Sequence, residues 1–471
     1  MRRIWRAIGG WFGVRFELED SVGAVLTHPV PAALEGPVGW WYVFGAATLA
    51  IFVVQVVTGV GLAMTYVPAP NSAYDSLQFI SQQATLGSVL RGIHYFGAGA
   101  MVVLVLIHMT QVFLFGAYKF PREANWMSGS LLLLATLAMA FTGQLLRWDQ
   151  DAFWSIVVAA EQAARAPVIG GFLASLVVAG QNVGGATLTR FYATHVFLIP
   201  AVIFGLLAIH LYLVVKRGIS EPPVPGQRAD RRTYLAQYRA LLARGIPFYP
   251  DAAVRDAAVA FVAVVVVIVL AVVAGAPALG KPPDPTIIVA DPRPDWYFIG
   301  YFALLAIIPN GLESIVIIGL PALAFAFLFV LPLVRPGGER HVSRRPMAIA
   351  AVGLGVVVYA ALTVAGSAAS WVPVSTEGAV LPPAVTTGLG ASESLGARLF
   401  VRKDCFACHQ IAGAGGRRGP DLSAVGSRLS HDQLVLTILN GKGQSMPSFA
   451  GALTPEELAE LVAFLETRKG P

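Results

Sequence analysis

The chain has few charged residues and only two cysteines. Charged side chains make up 13% of its 471 residues and hydrophobic ones 56%, whereas a soluble domain usually carries about 25% charge. The net charge of +6 is modest, and the cations fall between apolar stretches instead of clustering on a charged domain. This composition excludes a soluble nucleic-acid-binding protein and indicates a chain that lies mostly in a lipid bilayer.

The N-terminus lacks the long apolar core and small-residue cleavage site of a signal peptide. Its sequence, MRRIWRAIGGWFGVRF, is basic and aromatic. We therefore expect residues 1–34 to include an uncleaved amphipathic helix on the membrane surface.

Seven apolar stretches are long enough to cross a bilayer, which takes about 20 residues. They cover roughly 38–64, 88–115, 126–146, 188–215, 256–276, 312–334 and 346–366. The stretch 153–180 is broken by Glu161, Arg165 and Pro167, and we interpret it as short surface helices in a loop. The sequence predicts an all-α protein: a four-helix half over 35–220, a three-helix half over 221–366, a linker over 367–390, and a small helical domain over 391–471.

Lysine and arginine are distributed unequally between the two sides of this topology. Eighteen lie at the N-terminus and in the second, fourth and sixth connections between spans (the even-numbered connections). Six lie in the first, third and fifth connections. Cytoplasmic loops are the ones enriched in these residues. We therefore expect a cytoplasmic N-terminus in a plasma membrane, and seven crossings place the C-terminal domain on the outer face.

Both cysteines lie in KDCFACHQ, residues 403–410. A CxxCH pattern is typical of a covalently attached c-type haem: Cys405 and Cys408 would form thioethers and His409 would bind the iron, with Met446 as the sixth ligand. A disulfide or a redox dithiol is the alternative, and a zinc site lacks a second Cys or His pair. The segment RRGPDLSAVGSR resembles the loop of class I cytochromes c in which a proline backbone packs on the proximal histidine.

Four histidines lie within two of the predicted spans, where ionisable residues are costly and usually functional. His94 and His108 are 14 residues apart, and His195 and His210 are 15 apart. At about 100° per residue each pair returns to within about 40° to 60° of one helix face. Two such parallel helices could hold two stacked, non-covalent b-type haems, the first between His94 and His195 and the second between His108 and His210.

Other residues of this bundle fit the same interpretation. Arg91 and Arg190 lie next to the first histidine pair and could meet haem propionates, or act as interfacial anchors. Four glycines are spaced 14 apart in the first and third spans and would give a flat ligand room beside the backbone: Gly45, Gly59, Gly129 and Gly143.

These motifs resemble the cytochrome b of Rieske/cytochrome b quinol-oxidising complexes over about residues 15–366. LRGIHYFGAGAMVVLVLIH, KFPREANWMSGS, TLTRFYATH and KRGIS are similar to the plastid-type cytochrome b, and PDPTIIVADPRPDWYFIGYFALLAIIPN is similar to its separate subunit four. The resemblance implies bifurcated quinol oxidation with proton translocation, a Rieske iron–sulfur partner and a homodimeric complex. The chain itself has no cysteines left for a Rieske cluster.

The sequence departs from this family at three places. The outer-site motif Pro-Glu-Trp-Tyr is here Pro294, Asp295, Trp296 and Tyr297, so the resemblance makes Asp295 the candidate quinol-proton acceptor, and helix capping is the alternative role. We hypothesise a low-potential quinol such as menaquinol. Val43 stands where the plastid branch has a haem-binding cysteine, so no third haem is expected in the bundle. Arg147 replaces a proline for no reason visible in the sequence.

The leading hypothesis is a core subunit of a quinol:cytochrome c oxidoreductase. Electrons would leave this subunit through its own c-type haem domain. Its acceptor would be a soluble or membrane-bound cytochrome or oxidase. A quinone-reducing membrane arm of a periplasmic dehydrogenase and a non-catalytic electron conduit are the alternatives. For an inner quinone site, His28, Lys216 and Arg217 are candidates by position only, and His341 and His431 are interpreted as surface residues.

Overall fold

A computed structural model describes residues 27–180, 183–284, 292, 294–367, 380–403, 405–415, 419–441, 446, 449–450 and 452–470. Most of the predicted N-terminal surface helix (1–34) and half of the predicted linker (367–390) fall outside these residues.

Seven helices of the described chain are long and apolar enough to cross a membrane, which confirms the predicted all-α architecture. We name them spans 1 to 7, and they cover Pro37–Ala63, Gly87–Leu114, Glu123–Leu145, Gly185–Arg217, Phe248–Val273, Ile315–Val334 and Pro346–Ser367. Helices suit this environment because a backbone in lipid must satisfy its hydrogen bonds internally. Large apolar side chains such as Val273 and Leu323 are well exposed, as expected of residues that face lipid.

Three spans contain non-α segments, and one is part of a longer helix. Span 1 joins a 3-10 helix, Pro37–Trp41, to the α-helix Phe44–Ala63. Span 4 joins two α-helices, Gly185–Ala193 and Ile199–Arg217, through one turn of π-helix at Thr194–Leu198. Span 5 begins with a π segment, Phe248–Ala252, before the α-helix Ala253–Val273. Span 6 belongs to the helix Asn310–Val334.

Shorter elements connect the spans. The helices are Ala73–Gln82, Gln150–Ala164, Gly170–Val178, Tyr234–Leu242 and Trp296–Ile307, with 3-10 turns at Ala32–Glu35 and Val342–Arg344. Two-residue strands pair antiparallel as Pro29–Val30 with Ile246–Pro247, and as Arg228–Ala229 with Gly338–Glu339. The apolar stretch 153–180 forms two helices too short to span, as predicted.

The chain divides into two compact units: residues 1–147, 188–279 and 318–357, and residues 148–187, 280–317 and 358–471. In the first unit, span 2 packs on spans 1 and 3, span 3 packs on span 4, and span 5 packs against spans 1 and 2. Spans 1 to 4 therefore form the predicted four-helix half.

The even-numbered connections of the first unit meet one another. Lys119 donates from Nζ to the carbonyl of Gly337 at 2.6 Å, and Arg122 donates from Nε to the carbonyl of Gly218 at 2.9 Å. Glu221 forms a buried ion pair with Arg340. Removing one partner of such a pair would leave an uncompensated buried charge. These contacts hold connections 2–3, 4–5 and 6–7 together at one end of the bundle.

The second unit contains the C-terminal domain. Its helices are Pro383–Thr386, Ala391–Arg402, Cys405–Cys408, Val425–Arg428, His431–Asn440 and Pro455–Glu466, with a small hairpin of Gln410–Ile411 and Ala414–Gly415. Helix Ala391–Arg402 packs on helix Pro455–Glu466. They cross at Gly396, where an added Cβ would collide with the carbonyl of Glu460.

The domain begins earlier than the predicted boundary at residue 391. Leu381 and Val385 are 4% and 2% exposed and belong to the same buried core as Phe400 and Phe464. Arg468 donates to the carbonyl of Val385 at 3.0 Å. The Pro-rich sequence suggested a linker up to residue 390, but the side chains of Leu381 and Val385 within it are buried by the domain.

Candidate haem and quinol sites

The first histidine pair meets inside the bundle. The imidazoles of His94 in span 2 and His195 in span 4 lie with their ring centroids 6.3 Å apart and their planes at 78°. A nitrogen–metal bond is about 2 Å long, and a ring nitrogen lies roughly 1 Å from the ring centre. Two imidazoles on opposite sides of one metal ion would therefore have centroids about 6 Å apart. The two imidazoles therefore fit one metal ion held between them, as a bis-histidine haem requires.

The second pair meets further along the same two spans. His108 and His210 are close enough to interact electrostatically with each other, and both are partly buried. Two crossings separate spans 2 and 4, so the spans run parallel and the two pairs lie at different depths. The structure thus brings together the histidines that the sequence paired.

Each of the four spaced glycines faces one of these imidazoles. A Cβ built on Gly143 would lie 2.6 Å from Cε1 of His195, and one on Gly59 would lie 3.2 Å from Cε1 of His94. A Cβ on Gly45 would lie 3.3 Å from Cε1 of His108, and one on Gly129 would lie 3.5 Å from Cε1 of His210. In the structure each glycine borders a histidine ring, and its role in making room for porphyrin stays a prediction.

The π turn in span 4 explains how a 15-residue spacing serves the same purpose as a 14-residue one. It covers Thr194–Leu198 and so includes His195. A π turn accommodates one extra residue within a helix. The π turn takes up the one extra residue that would otherwise turn His195 away from the helix face on which His210 lies. Both side chains therefore point into the bundle.

Sequence reasoning missed three hydroxyl groups at these sites. Thr58 Oγ1 lies 2.9 Å from Nδ1 of His94, Thr142 Oγ1 lies 3.0 Å from Nδ1 of His195, and Ser128 Oγ lies 2.9 Å from Nδ1 of His210. Each hydroxyl residue comes directly before one of the spaced glycines, and that adjacency is the signal that could have identified them.

The arginines near the first pair contact backbone carbonyls. Arg91 donates to Ser81 Oγ at 3.1 Å and to the carbonyl of Pro277 at 2.7 Å. Arg147 donates to the carbonyl of Ala278 at 3.3 Å. These bonds attach the segment after span 5 to span 2 and to connection 3–4, which gives Arg147 a structural role. Arg190 is exposed on helix Gly185–Ala193. A propionate contact for Arg91 and Arg190 stays a prediction.

The CxxCH motif forms one helical turn, Cys405–Cys408, with His409 directly after it. Nδ1 of His409 lies 2.8 Å from the carbonyl of Pro420. Since a carbonyl oxygen only accepts, Nδ1 carries the proton and Nε2 is left for a metal. Burial lowers the pKa of His409, although the Pro420 carbonyl raises it. The proline thus contacts the candidate proximal histidine, as in the loop that the sequence resembles.

Gly419 lies directly against the ring of His409, and a Cβ there would collide with the imidazole. Met446 is partly buried and packs against the core of the domain. Cys405, Cys408 and His409 therefore suit a covalently attached haem, and Met446 as its second axial ligand stays a prediction.

The Pro294–Tyr297 motif begins the short helix Trp296–Ile307. Asp295 occupies the N-cap position, but its side chain makes no capping hydrogen bond. Instead, the hydroxyl of Tyr297 donates to Oδ2 of Asp295 at 2.5 Å. Trp296 is 43% exposed. This geometry disfavours the capping alternative and leaves a carboxylate and a phenol together.

The remaining candidate histidines make local contacts. The ring of His28 stacks on Phe248 at 5.1 Å between centroids. His341 lies 2.7 Å from Ser343 Oγ, and His431 lies 3.1 Å from Glu466 on an exposed surface. Lys216 and Arg217 are exposed at the end of span 4. No described contact joins these residues into one site.

A lipid-embedded bundle with two histidine pairs, joined to a CxxCH domain, defines a membrane-bound multihaem cytochrome. Residues 30–218 match the family model "Cytochrome b/b6/petB", and residues 282–381 match "Cytochrome b(C-terminal)/b6/petD". Residues 391–465 match "Cytochrome C oxidase, cbb3-type, subunit III". The c domain is therefore of the cbb3-associated type.

Similar proteins agree with these matches. Cytochrome b6 of Heliobacterium modesticaldum (strain ATCC 51547 / Ice1) is 40% identical over 198 residues, which cover 42% of this chain and 92% of that protein. The menaquinol:cytochrome c reductase cytochrome b subunit of Bacillus subtilis (strain 168) is 37% identical over 216 residues, 45% of this chain and 96% of that subunit. A solved chain titled "Hyperthermophilic respiratory Complex III" has a TM-score of 0.63 and 26% identity, and covers 76% of this chain and 91% of its own.

The chain belongs to the cytochrome b/b6 family. It is a multi-pass membrane protein in which a cytochrome b, a subunit-four-like half and a cytochrome c domain form one polypeptide. Both kinds of cytochrome domain imply haem cofactors.

Proposed function

We propose that the chain is the cytochrome b/c subunit of a quinol:cytochrome c oxidoreductase. The two partly buried histidine pairs at two depths of one bundle carry this proposal, since a single-haem anchor needs only one pair. His94 with His195, and His108 with His210, would hold two b-type haems. Cys405, Cys408 and His409 would attach one c-type haem, with Met446 as its second axial ligand. Bound haem supplies one-electron transfer across and out of the membrane.

The Pro294–Tyr297 motif is our proposed quinol-oxidation site at the outer face. Asp295 accepts a proton from the quinol, because a carboxylate beside a phenol can take up and pass on a proton within hydrogen-bond reach. The Tyr297 hydroxyl orients the carboxylate by donating to Oδ2. The name of the Bacillus subtilis relative supports menaquinol as the substrate, and much faster turnover with ubiquinol would contradict that choice.

The rest of the proposal extends the family resemblance. Quinol oxidation is bifurcated, one electron going to a Rieske iron–sulfur partner and the other towards a quinone at the inner face, with proton translocation by a homodimeric complex. The distribution of lysine and arginine supports a cytoplasmic N-terminus and an outer c domain. There the c domain would replace a separate cytochrome c subunit and pass electrons to a cytochrome or oxidase.

The substitution Asp295→Asn tests the quinol site in the purified complex. We expect quinol oxidation to slow by about 100-fold or more, the contribution of a positioned general base, while the haem spectra stay unchanged. Asp291→Asn, which removes the carboxylate four residues earlier in the sequence, is the matched control and should retain most of the activity. Equal rates for Asp295→Asn and wild type would show that the Pro294–Tyr297 motif is not the oxidation site.

A quinol analogue at the outer site separates the enzyme from a simple electron conduit. It should block reduction of the b haems in the proposed oxidoreductase, whereas a conduit would be unaffected.

A further inference from the structure

Three of the four candidate b-haem ligands share a second contact that the fourth lacks among the residues that the structure describes. Thr58, Thr142 and Ser128 each place a hydroxyl oxygen 2.9 to 3.0 Å from Nδ1 of a histidine. In the sequence each hydroxyl residue directly precedes the glycine that faces the same imidazole. The contact therefore follows from one repeated local motif, hydroxyl residue then glycine, on spans 1 and 3.

A second hydrogen bond of each hydroxyl group determines which atom donates in its contact with the histidine. Each hydroxyl donates its single proton to a carbonyl of its own helix: Thr58 to Val54 at 2.7 Å, Thr142 to Ala138 at 2.8 Å, and Ser128 to Asn125 at 2.9 Å. A hydroxyl has one proton and two lone pairs. With the proton used, the oxygen can only accept from the imidazole, so Nδ1 of each histidine carries the hydrogen.

With Nδ1 protonated, the Nε2 lone pair of each of these three rings is left for a metal ion.

His108 differs from the other three. The residue before its glycine, Gly45, is Phe44, and phenylalanine has no group that could accept from Nδ1. The first pair, His94 and His195, thus has two hydroxyl acceptors, whereas the second pair, His108 and His210, has one.

We propose that Thr58, Thr142 and Ser128 are positioning residues that each lower the reduction potential of the b haem bound by their histidine. The inference rests on the proposed haem ligation. An acceptor on Nδ1–H makes the imidazole a stronger donor to the metal, and a stronger donor stabilises the ferric state over the ferrous one. Hydrogen bonding around the ligands is one of the ways in which a protein sets the haem potential.

The unequal number of hydroxyls has a consequence for electron transfer. The first histidine pair has two hydroxyl acceptors and the second pair has one. This difference favours a lower reduction potential for the first haem than for the second. An electron would then move from the first haem to the second with a release of free energy, and Phe44 contributes to that direction by supplying no hydroxyl.

The test is potentiometry of the two b haems in the purified complex, followed optically and by electron paramagnetic resonance. Thr58→Val keeps the shape of the side chain and removes the hydroxyl. At a fixed ambient potential we expect the reduced-to-oxidised ratio of one b haem to rise about fivefold, the equilibrium factor of one ordinary hydrogen bond. The c haem is the internal reference. Thr58→Ser, which restores a hydroxyl, should return the potential towards wild type.

Thr48→Val is the matched control. Thr48 lies on the same span, and its hydroxyl also donates to a carbonyl of its own helix, that of Phe44, at 2.7 Å. It approaches no histidine in the described structure, so its loss should leave both b-haem potentials unchanged. An equal shift in Thr48→Val and Thr58→Val would overturn the proposal, as would no shift in Thr58→Val.

Ser128→Ala provides a second, independent variant for the case in which Thr58→Val fails to retain its haem. It should raise the potential of the other b haem, and an unchanged potential there would contradict the proposal. The outcome is separable from the proposed function: wild-type protein without bis-histidine b haems would refute the ligation itself, whereas normal haems with unshifted potentials refute only the role of the hydroxyls.

Discussion

The four spaced glycines leave different amounts of room beside their imidazoles. Carbon atoms are attracted most at about 3.5 to 4.0 Å and repel each other at shorter range. The space beside Gly143, 2.6 Å from an added Cβ to Cε1 of His195, is therefore too small for any side chain, whereas the 3.5 Å beside Gly129 and His210 is an ordinary contact. The two glycines share a spacing in the sequence but tolerate a side chain to different degrees.

This difference gives a graded prediction. Gly143→Ala should displace His195 and reduce the b-haem content from two per chain to about one, because one axial ligand would be pushed from its place. Gly129→Ala, the matched control, should retain both haems. Haem extraction and the b-band absorbance of the purified variants measure the result, and equal haem content in both variants would contradict it.

At this scale the sequence identified the histidine pairs but not the groups around them. The histidines and glycines were recognisable because their spacing repeats along the chain. The partner of Arg147 was not, since its hydrogen bond to Ala278 joins residues 131 positions apart. The contacts between glycines and imidazoles were not recognisable either, because spacing shows which face a residue lies on and not which group it touches.

Among the helices, span 4 shows how local geometry corrects a mismatch in spacing. Its π turn at Thr194–Leu198 takes up the fifteenth residue between His195 and His210. Span 2 needs no such turn, because its 14-residue spacing brings His94 and His108 to one face of a regular helix. The two helices therefore present matching pairs in spite of unequal sequence separations.

Deletion of Phe197 tests this explanation. The residue lies within the π turn and is 64% exposed, so its removal costs little packing and leaves a 14-residue spacing. We expect the turn to become α-helical and both b haems to be retained, as judged by optical spectra. Deletion of Val103 from the regular helix of span 2 is the control. It leaves 13 residues, which places the two histidines about 140° apart around the helix at 100° per residue, and a haem should be lost. Loss of haem from the Phe197 deletion would show that the π turn is not a simple insertion.

Helix positions followed from hydropathy to within a few residues at most ends, whereas the π turn did not. Hydropathy is a property of the local sequence, and a bilayer selects for it directly. A π turn is set by the partner that the side chain must meet, here the histidine pairs on another helix. The c domain boundary failed for the same reason: Leu381 and Val385 sit in a Pro-rich segment, yet they are buried by residues up to 80 positions later.

For the molecule as a whole, one chain combines parts that three separate family models describe. The b6-like match ends at residue 218 and the petD-like match begins at residue 282. Hydrogen bonds between the two matched segments include that of Lys119 to the carbonyl of Gly337 at 2.6 Å and that of Arg345 to the carbonyl of Phe113 at 2.7 Å. The two halves are therefore joined by packing as well as by the peptide chain.

The cofactor ratio is the prediction that belongs to this scale. Pyridine haemochrome analysis of the polypeptide should give one c haem for two b haems, since Val43 replaces the cysteine that would attach a further haem within the bundle. More than one c haem per two b haems would contradict it. Cys405→Ala should remove or weaken the c signal and leave the b signal intact, because the two kinds of site lie in different parts of the chain.

The sequence alone determined the seven spans, the haem-attachment motif and the identity of the paired histidines. Each depends on local composition or on a period along one helix. Tertiary structure alone decided which groups surround those histidines, how the extra residue in span 4 is absorbed, and what Arg147 binds. Those contacts join residues far apart in the chain, and their distances depend on how the helices pack against one another.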